Sequence, residues 1–127
     1  MYIELTKLYS FRQYKNSPIY YYFDKTDYEV VSIEKAAQYL SSNSNLDSQE
    51  QERFIPLFQV DEEQLEIDYL TQRYFNHPEK LVKKGFSEFY KYLEENLLEF
   101  DWTCYYKKRV IEQAKEWCII NGIVYKQ

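Results

Sequence analysis

From Asp101 to Asn121 the apolar residues Trp102, Tyr106, Val110, Ala114, Trp117 and Cys118 recur with the spacing of one helix face. Cys104 and Ile111 widen that face to about half the circumference, at roughly 100° per residue. Lys108, Glu112, Lys115 and Glu116 cluster on the other side. Asp101 supplies an N-cap, and Gly122 supplies the left-handed residue that stops a helix. A helix this broadly apolar needs neighbours on several sides, so it is expected at the centre of the fold. Trp102 and Trp117 fall about 60° apart around it and are expected in the core, not on a binding face.

The rest of the chain supplies those neighbours. Leu5, Leu8 and Tyr9 have helical spacing and favour a short helix within residues 1–11, although a strand fits that segment as well. Ile19 to Phe23 and Tyr28 to Val31 are rich in strand-forming residues and flank Asp24-Lys25-Thr26-Asp27, which has turn chemistry. That pattern predicts a β-hairpin. Ser32 caps a following helix with a stripe of Ile33, Ala36, Ala37 and Leu40. Ser41 to Ser48 is polar and aperiodic and reads as a loop. Phe54-Ile55-Pro56 suits an edge segment, because proline has no N–H to donate to a ladder. Asp61 with Gln64 resembles a capping box before a helix to about Phe75, with Ile67, Leu70 and Tyr74 inside. Pro78 starts a short helix that Gly85 ends. Phe86, Phe89, Tyr90, Leu93 and Leu97 mark another amphipathic helix.

The expected fold is α+β: a mainly helical single domain, 1–127, with an N-terminal β-hairpin packed on a helical bundle. Its subdivisions are 1–40, a polar loop 41–52, and a helical piece 53–127.

Hydrophobic content of 45% with 29% charged residues excludes disorder over the whole length. No apolar run approaches the ~18 residues of a membrane span, and no charged start leads into an apolar leader. A cytoplasmic location is expected. The 16 basic and 21 acidic side chains give a net charge of −5, which argues against a dedicated polyanion binder. Tyr occurs 15 times and Phe 8 times, and Lys exceeds Arg by 12 to 4. An adaptable aromatic binding face and an A/T-rich coding bias both account for the aromatics, and the second also accounts for the lysines.

Chemistry-bearing motifs are sparse. With two glycines in the chain there is no Gly-rich phosphate loop and no Gly-x-Ser-x-Gly turn. His77, the single histidine, lies beside Pro78 and reads as a helix-capping residue. Cys104 and Cys118 on one continuous helix would stand about 21 Å apart, too far for a disulfide or a shared metal. Both are expected as reduced core thiols. The acidic runs Asp61-Glu62-Glu63 and Glu94-Glu95 read as solvated helix faces. No catalytic residue, cofactor or metal site is assigned. Lys83, Lys84, Lys107, Lys108 and Arg109, with Tyr90 and Tyr105, form a candidate interaction patch of mixed basic and aromatic character. Arg53 is expected in a bidentate pair with the carboxylates that begin the next helix.

Several short motifs occur in order: Glu52-Arg53-Phe54-Ile55-Pro56, Gly85-Phe86 with Phe89, Asp101-Trp102, Glu116-Trp117, and Asn121-Gly122-Ile123. Together with Tyr21-Tyr22-Phe23-Asp24-Lys25 and Glu29-Val30-Val31, this ordered set resembles a bacterial uncharacterised protein family of unknown function, over roughly residues 19–125. The resemblance implies an architecture and no mechanism. Ser87 and Glu88 stand where that family carries paired arginines, and Tyr28 stands where it has the glycine of the hairpin turn. The expected function is a non-catalytic protein-binding or regulatory module. Nucleic-acid binding ranks second, and an enzyme without a recognisable motif third.

Overall fold

Ile3 and Leu5 are both buried, yet they belong to different elements: the chain enters as a strand and turns at once into a helix. The computed structural model describes residues 1–42 and 52–127, so most of the expected polar loop lies outside the described residues. Their order is β1 (Ile3–Glu4), α1 (Leu5–Ser10), β2 (Gln13–Tyr14), β3 (Tyr21–Asp24), β4 (Glu29–Ser32) and α2 (Ile33–Ser42). Then follow β5 (Phe54–Pro56), β6 (Gln59–Val60), α3 (Glu62–Gln72), α4 (Pro78–Lys83), α5 (Phe86–Glu95), α6 (Glu99–Ile120) and β7 (Tyr125–Lys126). The fold is α+β and mainly helical. Among the described residues, no helix is long and apolar enough to cross a membrane.

These residues form two compact units, Met1–Val60 with Ile111–Gln127, and Asp61–Val110. The long helix α6 contributes residues to both. In the first unit, β3 is the middle of a three-stranded antiparallel sheet in the order β4-β3-β5, with Phe23 opposite both Val30 and Ile55. Pro56 thus sits on an edge strand, as its missing N–H requires. Two parallel pairs complete the unit: β1 with β7, Ile3 facing Tyr125, and β2 with β6, Gln13 facing Gln59. Gln13 is buried and fully used: Oε1 accepts from the N–H groups of Tyr20 and Tyr21, and Nε2 donates to the carbonyls of Tyr21 and Leu57. Phe23, Val31, Leu57, Ala114 and Cys118 belong to this unit's core.

The hairpin turn ends on Tyr28 at φ +56°, a left-handed conformation that favours glycine. Tyr28 makes two contacts from there. Its ring meets Phe23 edge-on at 5.0 Å, and its hydroxyl oxygen accepts the N–H of Val124. Trp117, expected in the core, is only half-buried, because its indole Nε1 reaches out to the edge strand. Its ring lies 5.9 Å from Phe23, and Nε1 donates to the Pro56 carbonyl at 3.2 Å.

The second unit is helical, with Leu65, Tyr69, Leu70, Val82, Phe89, Leu93, Trp102 and Val110 buried. Asp61 caps α3 by accepting from the N–H of Gln64, as expected. Other expectations need correction. The inner face of α3 is Leu65, Glu66, Tyr69 and Leu70; the helix ends at Gln72, so Tyr74 is carried off the face and is 95% exposed. On α5 only Phe89 and Leu93 are buried. Helix α6 begins at Glu99, two residues before the expected cap, and Cys104 is exposed where a core thiol was expected. In α2, only Ala36 of the expected stripe is buried.

Helices α3, α5 and α6 stop in the same way. In α6, Gly122 is left-handed at φ +67°; its N–H bonds to the Ile119 carbonyl and the next N–H, of Ile123, reaches back to Cys118. Tyr74 at φ +60° and Leu97 at φ +55° take the place of that glycine after α3 and α5, with the equivalent bonds to Thr71 and Leu70, and to Glu94 and Leu93. Two helix stops therefore place a large apolar side chain where glycine or asparagine is the usual residue.

Candidate functional site

The residues of the candidate basic patch are divided among three helices. Lys83 and Lys84 close α4 and are exposed, Tyr90 lies on α5, and Tyr105, Lys107, Lys108 and Arg109 lie on α6. Arg109 is committed to the fold: Nη1 donates to the Tyr105 hydroxyl at 2.9 Å, and Nη2 lies 3.8 Å from the Asp68 carboxylate. The half-buried Tyr105 ring packs 5.2 Å from Tyr69 and 6.0 Å from Trp102. Trp102, buried as expected, also meets Phe89 at 4.9 Å and Tyr69 at 5.3 Å, both edge-on. The Tyr69 hydroxyl donates to Asp101 at 2.6 Å, and Arg73 donates to the same oxygen at 3.2 Å. Burial first, and that bond second, push the Tyr69 hydroxyl well above its ordinary pKa. Tyr105 therefore packs beside the buried Trp102 and Tyr69, and half-buried Arg109 is held by Tyr105 and Asp68. Lys107 and Lys108 remain exposed on α6.

Tyr90 lies beside an exposed aromatic side chain and a carboxylate. Phe86, 57% exposed, has its ring 5.8 Å from that of Tyr90, whose hydroxyl donates to Glu99 at 3.2 Å. Next to Glu99 in the chain is Phe100, 80% exposed, and the α5–α6 turn holds Leu97, 90% exposed. The hydrogen bond to Glu99, then the charges of Glu99 and Glu94, raise the pKa of the Tyr90 hydroxyl. Sequence reasoning placed Phe86 and Leu97, with Tyr90, on the stripe of one amphipathic helix and passed over Phe100. The apolar spacing was real, but the helix ended before Leu97 and began before Phe100.

Arg53 does form the expected bidentate pair, but with a different partner. Nε and Nη2 each donate to the Asp24 carboxylate at 2.7 Å, and Nη2 also donates to Asp27 at 3.1 Å. The correction is from the carboxylates of α3 to those of the hairpin turn, which the β3–β5 pairing brings beside Arg53. Its guanidinium also lies over the rings of Tyr39, at 4.4 Å, and Phe54, at 5.2 Å. Asp24 is buried, which pushes its carboxyl up. Hydrogen bonds from Arg53, Asp27 N–H and Thr26 N–H, with the guanidinium charge, outweigh that and leave it below its ordinary value. Asp24, Asp27 and Glu29 bring carboxylate oxygens within 4.8 Å of one another, a cation-like arrangement. Arg53 already neutralises two of them, and Lys35 pairs with Glu29 at 3.2 Å. Arg53 is thus held by the hairpin turn within the first unit.

His77 occupies the N-cap position of α4 at φ +55°, but its side chain makes no capping bond; Nδ1 lies 3.7 Å from Glu79. Burial pushes the Cys118 thiol up to about 11. The residue that sequence reasoning missed is Glu66. It is 5% exposed on the inner face of α3, and Oε1 has no hydrogen-bond partner among the described residues. Burial, then the charges of Glu62 and Glu63, push its pKa up to about 7. Its position one residue after Leu65 and three before Tyr69 was the available signal.

No protein-family model, curated protein or solved structure matches the chain.

Proposed function

We propose that the chain is a non-catalytic protein-binding module that engages its partner through the surface around Tyr90. The supporting observation is that Phe86, Tyr90, Leu97 and Phe100, on α5, in the α5–α6 turn and at the start of α6, are all solvent-exposed. Single exposed apolar residues are ordinary, whereas a group of aromatic and aliphatic side chains rimmed by polar ones is the usual make-up of an interaction surface. The nucleic-acid reading loses support at its strongest point, because Arg109 and Tyr105 are engaged with Asp68 and the Trp102 cluster.

The test compares immobilised wild-type protein with a Phe86→Ser/Phe100→Ser variant in nuclease-treated native lysate, with thermal unfolding confirming that both are folded. Proteins retained by the wild type and lost by the variant support the proposal. Identical capture by both, or no capture by either, overturns it.

A further inference from the structure

We propose that the surface around Tyr90 takes a basic amphipathic segment, its apolar side chains against Phe86, Leu97 and Phe100 and its Lys or Arg side chains against Glu94 and Glu99. This deepens the protein-binding reading and rests on it. Charge is the first argument. From Phe86 to Asp101 the chain has five acids, Glu88, Glu94, Glu95, Glu99 and Asp101, against the single cation Lys91. Asp101 is engaged by Tyr69 and Arg73, whereas Glu94 and Glu95 are exposed and make no ion pair among the described residues. At the centre, the charges acting on the Tyr90 hydroxyl are those of Glu99 and Glu94. A partner with cations beside its apolar side chains meets complementary potential there, and an acidic partner is repelled.

The second argument is Leu97. Its conformation favours glycine, the residue that makes the equivalent stop after α6, and its side chain is 90% exposed. Neither local geometry nor burial accounts for a leucine at this position. A partner's apolar side chain supplies the missing contact, as at other sites where a residue breaks a local rule. The surface is also directional. Lys83 and Lys84 lie just before α5, and Glu94 lies at its far end, about 12 Å along the helix from Phe86. The partner's cations are thereby steered towards the Glu94 and Glu99 end.

Fluorescence anisotropy with three labelled synthetic helical peptides tests this. One carries lysines and leucines in an amphipathic pattern, the second has glutamates for the lysines, and the third has serines for the leucines. The lysine–leucine peptide should bind wild-type protein at least about tenfold more tightly than either control, and more weakly as salt rises. Glu94→Gln/Glu99→Gln and Leu97→Asn/Phe100→Ser should each cost about tenfold, a loss of roughly 1.4 kcal/mol. Glu94, Leu97 and Phe100 are exposed and Glu99 is half-buried, and Leu97→Asn suits the left-handed backbone. Equal binding of the glutamate peptide, or indifference to the glutamine pair, overturns the basic partner and leaves the lysate result to judge protein binding. Indifference to Leu97→Asn/Phe100→Ser overturns the surface itself.

Discussion

Replacing Glu66 by glutamine removes a charge from the core while keeping shape and volume, and its effect depends on pH. The folded carboxyl ionises at about 7 against an ordinary 4.5, so between those values the folded state holds a proton that the unfolded state has released. Stability from this source is complete below the unfolded value and is lost as pH rises through the folded one. Once both states are ionised, the buried carboxylate costs on the order of 3 kcal/mol. Near pH 4, below both values, Glu66 is protonated in the folded state and largely so in the unfolded one, and the two proteins should unfold almost together. Near pH 8.5 the variant should be more stable by up to about 3 kcal/mol, much of a small domain's total. Urea unfolding followed by tryptophan fluorescence at both pH values measures this, with Trp102 reporting from the same unit as Glu66. A difference of the same size at both pH values, or a variant less stable at the higher one, would refute the reasoning.

Arg53→Lys and Arg53→Ala should both destabilise the protein, by about 3 kcal/mol for alanine, because each leaves the buried Asp24 without its two-point partner. In wild-type protein this contribution is lost in acid, as pH falls below 3.8 through the depressed folded value of Asp24, and acid unfolding of the two proteins should converge there. Leu97→Gly should raise stability by roughly 0.5 kcal/mol in chemical denaturation, since it relieves a left-handed leucine that buries almost nothing. At about 150 mM salt, micromolar protein should give no gel shift with single- or double-stranded nucleic acid. A shift abolished by Lys107→Glu/Lys108→Glu would restore the nucleic-acid reading.

What could be read from sequence was whatever rested on local chemistry. The Asp61 cap, the hairpin around Asp24–Asp27, the edge character of Phe54–Pro56 and the stop at Gly122 all depend on a few adjacent residues, and all are present. Periodicity misled at helix ends. Tyr74 and Leu97 continue an apolar stripe in the sequence, but each lies beyond the end of its helix and is exposed. Burial of Glu66 contradicts the rule that charges lie outside, and only its flanking by Leu65 and Tyr69 betrays it. Of the candidate patch, Tyr90 keeps its place at a surface. Arg109 and Tyr105 leave it, because the pairing of Arg109 with Asp68 depends on a contact between residues 41 positions apart, which no local pattern encodes.

The pairing of Ile3 with Tyr125, and of Val124 N–H with Tyr28, sets a timetable for synthesis. As the chain leaves the ribosome, β1 and the hairpin wait for Val124 and Tyr125, about a hundred residues later, before these partners exist. Asp61–Val110 is continuous and finishes first, although it starts second. Closing so long a loop adds little entropy cost beyond that of a shorter one, so the delay weighs on kinetics more than on final stability. Until it ends, Leu5, Leu8 and Phe23, all buried in the finished fold, are the apolar surface that a nascent chain must shield from aggregation.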